Sequence, residues 1–168
     1  MSRATPRVLV AGVGNVFLGD DGFGVEVARR LAEADLPAWV QVADFGIRGV
    51  HLAFELLDGY DAAILVDATP RGGTPGTLYV LEPEAGSDGG DGTLVDAHGM
   101  EPGAVLALLG ALGGSPGRLL VVGCEPADVR ERMGLSEPVA DAVDDAVRAV
   151  RDLLEELHPD DEHGREEG

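Results

Sequence analysis

Short apolar runs alternate along the chain with stretches in which apolar residues recur every three to four positions. The runs are rich in Val, Ile and Leu and have the length of strands, whereas the longer stretches are typical of amphipathic helices. The runs predict strands at residues 8–13, 40–45, 62–68, 77–82 and 119–124. The periodic stretches predict helices at residues 22–34, 49–57, 101–112 and 137–157.

The arrangement of these elements predicts the fold. Strands 8–13, 62–68 and 119–124 are apolar on both faces, as expected of parallel strands covered by helices. Strand 77–82 follows 62–68 after the short segment TPRGGTPG, which leaves no room for a helical crossover and so predicts an antiparallel strand. We therefore expect an α/β fold, a three-layer α/β/α sandwich around a mostly parallel five-stranded sheet with one antiparallel strand.

Composition and charge narrow the class of protein. Hydrophobic residues make up 45 % of the chain, as in a globular domain, and we expect one domain over residues 1–157. The acidic, polar residues 158–168 are expected to form a flexible tail. The formal net charge of −19 argues against binding nucleic acid or an anionic membrane, because both are recognised by basic surfaces.

The single cysteine and the hydropathy of the chain indicate where in the cell the protein is expected. Cys124 has no second cysteine to pair with, so no internal disulfide can form and a reducing cytoplasm is expected. No stretch is long and apolar enough to span a bilayer. Because no histidine or lysine near Cys124 in sequence would lower the pKa of its thiol, a structural role is expected for it.

A glycine-rich loop with two adjacent aspartates follows the first strand, in GNVFLGDDGFGVEVARRL, residues 14–31. A glycine-rich turn between a strand and a helix often binds phosphate. Here Phe17 stands where the dinucleotide pattern needs its third glycine, and there is no Walker lysine. Two carboxylates at the start of a helix would also repel a phosphate. The loop is therefore not a nucleotide site.

Acidic residues from two loops converge on one predicted crevice. In an open α/β sheet, ligands bind beyond the carboxyl ends of the strands where the winding reverses, here between strands 8–13 and 62–68. Asp20 and Asp21 follow the first of these strands and Asp67 ends the second. Taken singly, each aspartate has an ordinary structural explanation, as a helix cap or as the start of a turn. Their convergence favours a functional site.

His98 is the candidate third member of this site. It lies in the sequence DAHGMEP, and it alone of the four histidines follows a strand end that can face the crevice. Two carboxylates and one imidazole form an O/O/N set suited to a divalent metal with open coordination positions. Alternatively, the two aspartates could share a proton and activate water.

Five motifs occur in a distinctive order. They are GxGNxxxGDDGxG near the N-terminus, D-x-G-x-x-G after strand two, VDA at the end of strand three, a lone histidine before a helix, and VG-x-x-P after strand five. In this order the chain resembles the [NiFe]-hydrogenase maturation endopeptidases from residue 8 to about residue 157. Such enzymes remove a short C-terminal peptide from the hydrogenase large-subunit precursor after nickel has been inserted.

The resemblance implies roles for particular residues. The family's nickel-engaging residues carry over to Asp21, Asp67 and His98, which are then both the catalytic and the metal-contacting candidates. The nickel is expected to arrive with the substrate. Asp20 is expected to cap the first helix while Asp21 reaches the crevice. Asp21 is one methylene shorter than the Glu that the family often has at this position.

The resemblance also implies a partner. The expected partner is the hydrogenase large-subunit precursor, with no nucleic acid and no membrane, and the protein is expected to be a monomer. Arg48 is a candidate substrate contact, because a common family version has Thr where this chain has Ile47. The full set of candidate substrate-binding residues is Asp44, Gly46, Arg48 and Gly49. The alternative function is a non-catalytic, metal-sensing binding module or chaperone of hydrogenase assembly on the same fold.

Overall fold

A computed structural model describes residues 6–47, 49–82, 102–114 and 117–157, and it contains the predicted alternation of strands and helices. The strands are β1 Val8–Val13, β2 Val40–Gly46, β3 Ala62–Ala68, β4 Leu78–Leu81 and β5 Arg118–Cys124. The helices are α1 Phe23–Ala32, α2 Gly49–Leu56, α3 Pro102–Ala111 and α4 Glu137–Leu157, and a short 3₁₀ helix, Gly19–Gly22, precedes α1. The α-helix predicted at residues 22–34 is confirmed with slightly shorter ends, and the 3₁₀ helix precedes it.

The five strands form one sheet in the order β2-β1-β3-β5-β4. β1 pairs in parallel with β2 and with β3, and β3 pairs in parallel with β5. β4 is antiparallel, and it pairs with β5 rather than with β3, which precedes it in sequence. The prediction of a mostly parallel five-stranded sheet with one antiparallel strand is therefore confirmed.

Alternate residues along the strands face opposite sides of the sheet and build two separate cores. One core packs against α1 and α4, and the other packs against α2 and α3, which confirms the three-layer sandwich. The strand residues of the first core are Val8, Val10, Ala62, Ile64, Val66, Leu120, Val122 and Cys124. Those of the second are Leu9, Ala11, Val13, Phe45, Ala63, Leu65, Leu119 and Val121. Each fully buried Val, Leu or Ile stabilises the fold by roughly 1.5–3 kcal/mol, so these rows hold the strand ends firmly.

The winding reverses between β1 and β3, as predicted, and α1 begins directly above that point. Gly24, in the first turn of α1, lies against the carboxyl ends of both strands. A Cβ atom at this position would collide with the carbonyl oxygens of Val13 and Val66. Glycine therefore lets the helix start in contact with the strand ends that flank the crevice.

Three sequence predictions fall outside the described residues: those on Arg48, on His98 and on the tail at 158–168. Within the described ranges, the helices are all too short or too polar to cross a membrane.

Candidate active site

Asp21 and Asp67 meet at the turn that follows β1. Asp21 lies in the 3₁₀ helix, Asp67 is the penultimate residue of β3, and both are half-buried. Gly14 lies between them with a φ of +130°, a backbone conformation that favours glycine. A Cβ atom on Gly14 would collide with the Asp21 carbonyl oxygen and lie 3.5 Å from Asp67 Oδ1. The structure therefore brings these two predicted residues to one place.

The Asp21 side chain is oriented by its own loop. Its Oδ2 accepts a hydrogen bond of 2.8 Å from the backbone N–H of Asn15. The Asn15 side chain in turn accepts a hydrogen bond from Phe17 N, and its carbonyl oxygen accepts one from Leu18 N. The Asn15 bond is the only hydrogen bond of the Asp21 carboxylate within the described part of the chain. Its second oxygen is therefore available to a ligand.

Asp67 is held by the strand that carries it. Its backbone is in register with Gly123 of β5, and its Oδ1 accepts a hydrogen bond of 2.7 Å from Ala68 N. Asp67 is half-buried at the end of the strand. A carboxylate in such a position can contact a cation or accept a proton from water.

The turn after β2 adjoins the same site. Gly46 has a φ of +56°, and its carbonyl oxygen accepts a hydrogen bond of 2.9 Å from Gly14 N. A bulge between Gly12 and Val13 shifts the register of β1 against β2 at this point. Asp44 is exposed beside the turn, and Gly49 begins α2. The candidate substrate-binding residues that the structure describes therefore lie next to the turn after β1, where Asp21 and Asp67 meet.

Asp20 is not a helix cap, and that prediction is wrong. Neither the 3₁₀ helix nor α1 has a side-chain cap. Asp20 is instead fully buried, and its carboxylate accepts hydrogen bonds from Ala127 N at 2.8 Å and Asp128 N at 2.9 Å. Ser136 adds its N–H at 2.6 Å and its hydroxyl at 2.8 Å. The carboxylate therefore ties the 3₁₀ helix to the loop between β5 and α4.

The four hydrogen bonds decide the charge state of Asp20. Burial alone raises the pKa of a carboxyl, but the bonds from Ser136, Ala127 and Asp128 outweigh it and hold the pKa of Asp20 below its ordinary value of 3.8. Asp20 is thus an ionised structural anchor. Of the two adjacent aspartates, Asp21 is the one with an oxygen left for a ligand.

Glu125 is a second buried carboxylate, which the sequence interpretation did not single out. Its Oε1 accepts hydrogen bonds from Tyr79 Oη at 2.6 Å, Arg71 N at 2.9 Å and Gly73 N at 3.0 Å. The bond from Tyr79 and those from the backbone lower the pKa of Glu125, while the same contact raises the pKa of Tyr79. Glu125 thereby fixes the loop that follows Asp67. Its only signal in the sequence is a carboxylate placed directly after a buried strand.

Cys124 has the properties of a core residue. It is fully buried, and burial together with the nearby charge of Asp20 raises the pKa of its thiol to about 11. The thiol is therefore protonated near neutral pH, which is unfavourable for a nucleophile. This supports the structural role expected from the sequence.

The metal-binding capacity of the site depends on residues beyond Asp21 and Asp67. In the described ranges, His, Cys, Asp and Glu side chains form no group of three or more that could hold a metal ion. Two carboxylates offer oxygen contacts to a divalent cation but lack the thiolates that bind nickel tightly.

Comparisons with known proteins point to one family. The family model described as hydrogenase maturation protease matches residues 25–153. The hydrogenase expression/formation protein HupD of Rhodobacter capsulatus is 36 % identical over 150 residues, which cover 88 % of this chain and 71 % of that protein.

Solved structures agree with the sequence comparisons. The hydrogenase maturating endopeptidase HybD from E. coli has a TM-score of 0.75 and 28 % identity, covering 90 % of this chain and 93 % of that one. The hydrogenase 2 maturation peptidase from Thaumarchaeota archaeon SCGC_AB-539-E09 has a TM-score of 0.69 and 35 % identity, covering 88 % and 97 %. Sequence and fold together show that the chain belongs to the hydrogenase maturation protease family and is a peptidase.

Proposed function

We propose that this chain is the endopeptidase that removes a short C-terminal peptide from the nickel-loaded [NiFe]-hydrogenase large-subunit precursor. The observation that carries the proposal is the meeting of Asp21 and Asp67, both half-buried, at the point of winding reversal in a chain of this family. Two carboxylates at one sheet edge suit recognition of a cation better than recognition of an anionic ligand.

In this proposal nickel belongs to the substrate. The precursor presents nickel bound by its own cysteines, and Asp21, Asp67 and His98 add contacts to that ion. Because three ligands without a thiolate hold a divalent ion weakly, the isolated protease carries little metal. Recognition of the ion then places the adjacent peptide bond in the crevice for hydrolysis.

The turn after β2 is the proposed contact for the peptide beside the ion. The proposed contact residues in and around this turn are Asp44, Gly46, Arg48 and Gly49. This proposal is supported by the hydrogen bond from Gly14 N to the Gly46 carbonyl oxygen. The bond joins the turn after β2 to the turn after β1, where Asp21 and Asp67 meet. Glycine at position 46 also keeps the backbone accessible to an extended peptide.

The test is a cleavage assay on purified precursor in metal-free and nickel-loaded forms, read as a change in size. The proposal expects cleavage of the loaded form only, and loss of cleavage in His98→Ala with folding unchanged by circular dichroism. Equal cleavage of both forms would overturn nickel recognition and favour water activation by the aspartate pair. A stable complex without cleavage would favour the alternative of a non-catalytic binding module or chaperone.

A cytoplasmic location and a monomeric state are further proposals. They are supported by the lone, buried cysteine and by the acidic composition. Cell fractionation and light scattering of the purified chain would test them.

A further inference from the structure

The most exposed apolar side chains lie around the candidate active site. Phe17, Met133 and Ile47 are 65 %, 64 % and 62 % exposed, more than any other large apolar side chain in the described residues. Phe17 lies between β1 and the 3₁₀ helix, Ile47 follows β2, and Met133 lies between β5 and α4. All three therefore extend from loops at the carboxyl ends of parallel strands, the edge that carries Asp21 and Asp67.

The loops that carry Phe17 and Met133 are joined to each other. The Phe17 carbonyl oxygen accepts a hydrogen bond of 3.0 Å from Arg132 N, and Gly19 N donates one of 2.9 Å to the Arg132 carbonyl oxygen. These bonds form a parallel bridge between Leu18 and Arg132. The buried Asp20 carboxylate reinforces the same junction through Ala127, Asp128 and Ser136. Phe17 and Met133 are therefore exposed on loops that are held in place by hydrogen bonds.

Ile47 is attached to the site from the other side. It directly follows Gly46, whose carbonyl oxygen is hydrogen-bonded to Gly14 N, beside Asp21 and Asp67. Exposed apolar groups beside a functional site are available to a molecule that binds there. Burying one such side chain on binding is favourable in proportion to the apolar area removed from water.

We propose that Phe17, Ile47 and Met133 form an apolar rim that docks the protein substrate, by contacting apolar residues of the precursor beside the bond to be cut. The proposal rests on the proposed function, because the occupant of the rim is the molecule whose peptide bond reaches Asp21 and Asp67. The three loops lie at the same edge of the sheet as the crevice, so a molecule that fills the crevice is positioned to contact the rim. A second copy of the chain on this face would block the crevice.

The experiment compares Phe17→Gln and Met133→Gln with the matched control Phe54→Gln, an exposed phenylalanine on α2 away from these loops. All three changes are at exposed positions, and thermal unfolding verifies that each variant folds. With nickel-loaded precursor, each rim variant should raise KM about 10-fold with kcat little changed, as expected for a central apolar contact. Phe54→Gln should leave both constants unchanged.

Binding measured without cleavage separates this inference from the proposed function. In an Asp67→Asn background, the rim changes should weaken binding of the loaded precursor by the same factor, measured by interferometry. If the wild type cleaves the precursor but neither KM nor binding responds to the rim changes, the docking inference is wrong and the proposed function stands. If the wild type neither binds nor cleaves the precursor, both are wrong. A wild-type dimer that Phe17→Gln converts to a monomer would assign the rim to self-association instead.

Discussion

Two kinds of carboxylate lie at the carboxyl edge of the sheet, and their environments differ sharply. Asp20 and Glu125 are buried, and each accepts three or more hydrogen bonds from neighbouring loops. Asp21 and Asp67 are half-buried; Asp21 accepts a hydrogen bond from Asn15 N, and Asp67 accepts one from Ala68 N. Donors that surround a buried carboxylate make it a fixed part of the fold, whereas a half-buried carboxylate at the sheet edge can serve a substrate.

The two buried anchors hold the loops that carry the two crevice residues. Glu125 fixes the loop after Asp67, and Asp20 fixes the 3₁₀ helix that contains Asp21. Both anchors act through the connection between β5 and α4, since Glu125 begins it and Ala127, Asp128 and Ser136 lie in it. Substitutions in the crevice should therefore change catalysis, and substitutions of the anchors should change stability.

The largest expected effect is on catalysis. Asp67→Asn should lower kcat/KM for nickel-loaded precursor by about 10³-fold or more, because the ionised oxygen is lost while the hydrogen bond from Ala68 N can be kept. The free energy of unfolding, from urea titration, should stay close to the wild-type value. An active Asp67→Asn variant would remove Asp67 from the proposed site.

Substitutions of Asp21 test how much of its effect on catalysis comes from its negative charge. Asp21→Ala should lower kcat/KM by about 10²-fold, whereas Asp21→Glu should retain more activity because the negative charge is kept. Kinetics on both variants with the same precursor provide the comparison. Equal losses in the two variants would show that position, and not charge, decides the role of this residue.

Asp20 should behave in the opposite way. Asp20→Ala should lower the free energy of unfolding by about 3 kcal/mol, because three backbone N–H groups and the Ser136 hydroxyl lose a buried acceptor. Urea unfolding followed by circular dichroism measures this loss. A variant that unfolds like the wild type but fails to cleave would place Asp20 in the crevice instead.

The lowered pKa of Asp20 predicts that the stability of the fold depends on pH. Because the pKa of Asp20 is lower in the folded chain than in the unfolded chain, the unfolded state binds more protons as the solution becomes acidic. Its contribution is fully present above the unfolded pKa of about 4 and is lost as the pH falls through the folded pKa. The stability difference between wild type and Asp20→Asn should therefore shrink from pH 6 to pH 3. Parallel curves would show that Asp20 is not linked to acid unfolding.

The smallest expected effect is at Cys124. Cys124→Ala should leave cleavage unchanged, because a buried thiol whose pKa is about 11 stays protonated near neutral pH. It should lower the free energy of unfolding by about 1 kcal/mol, as for removal of a small apolar group. Cleavage and urea unfolding are measured on the same preparation. A folded but inactive variant would give the thiol a catalytic role.

The sequence by itself determined the elements and their layers. The 3.6-residue periodicity of residues 137–157 places α4, and Val139, Val143, Ala146, Val150 and Leu154 of the predicted apolar face are buried. The apolar runs of β1, β3 and β5 indicate parallel strands covered on both faces. These features depend on the pattern of apolar residues within one segment, so they can be predicted from the sequence alone.

The tertiary structure alone decided the roles of the carboxylates and the exposure of the rim. Asp20 and Asp21 are alike in sequence, but the donors that bury Asp20 come from residues more than 100 positions away. Glu125 likewise finds its donors at Arg71, Gly73 and Tyr79, across the ends of β3 and β4. Phe17, Ile47 and Met133 are apolar yet exposed, and they lie on loops that are hydrogen-bonded at the sheet edge. A hydrogen bond or a buried surface needs two segments, and only folding brings them together.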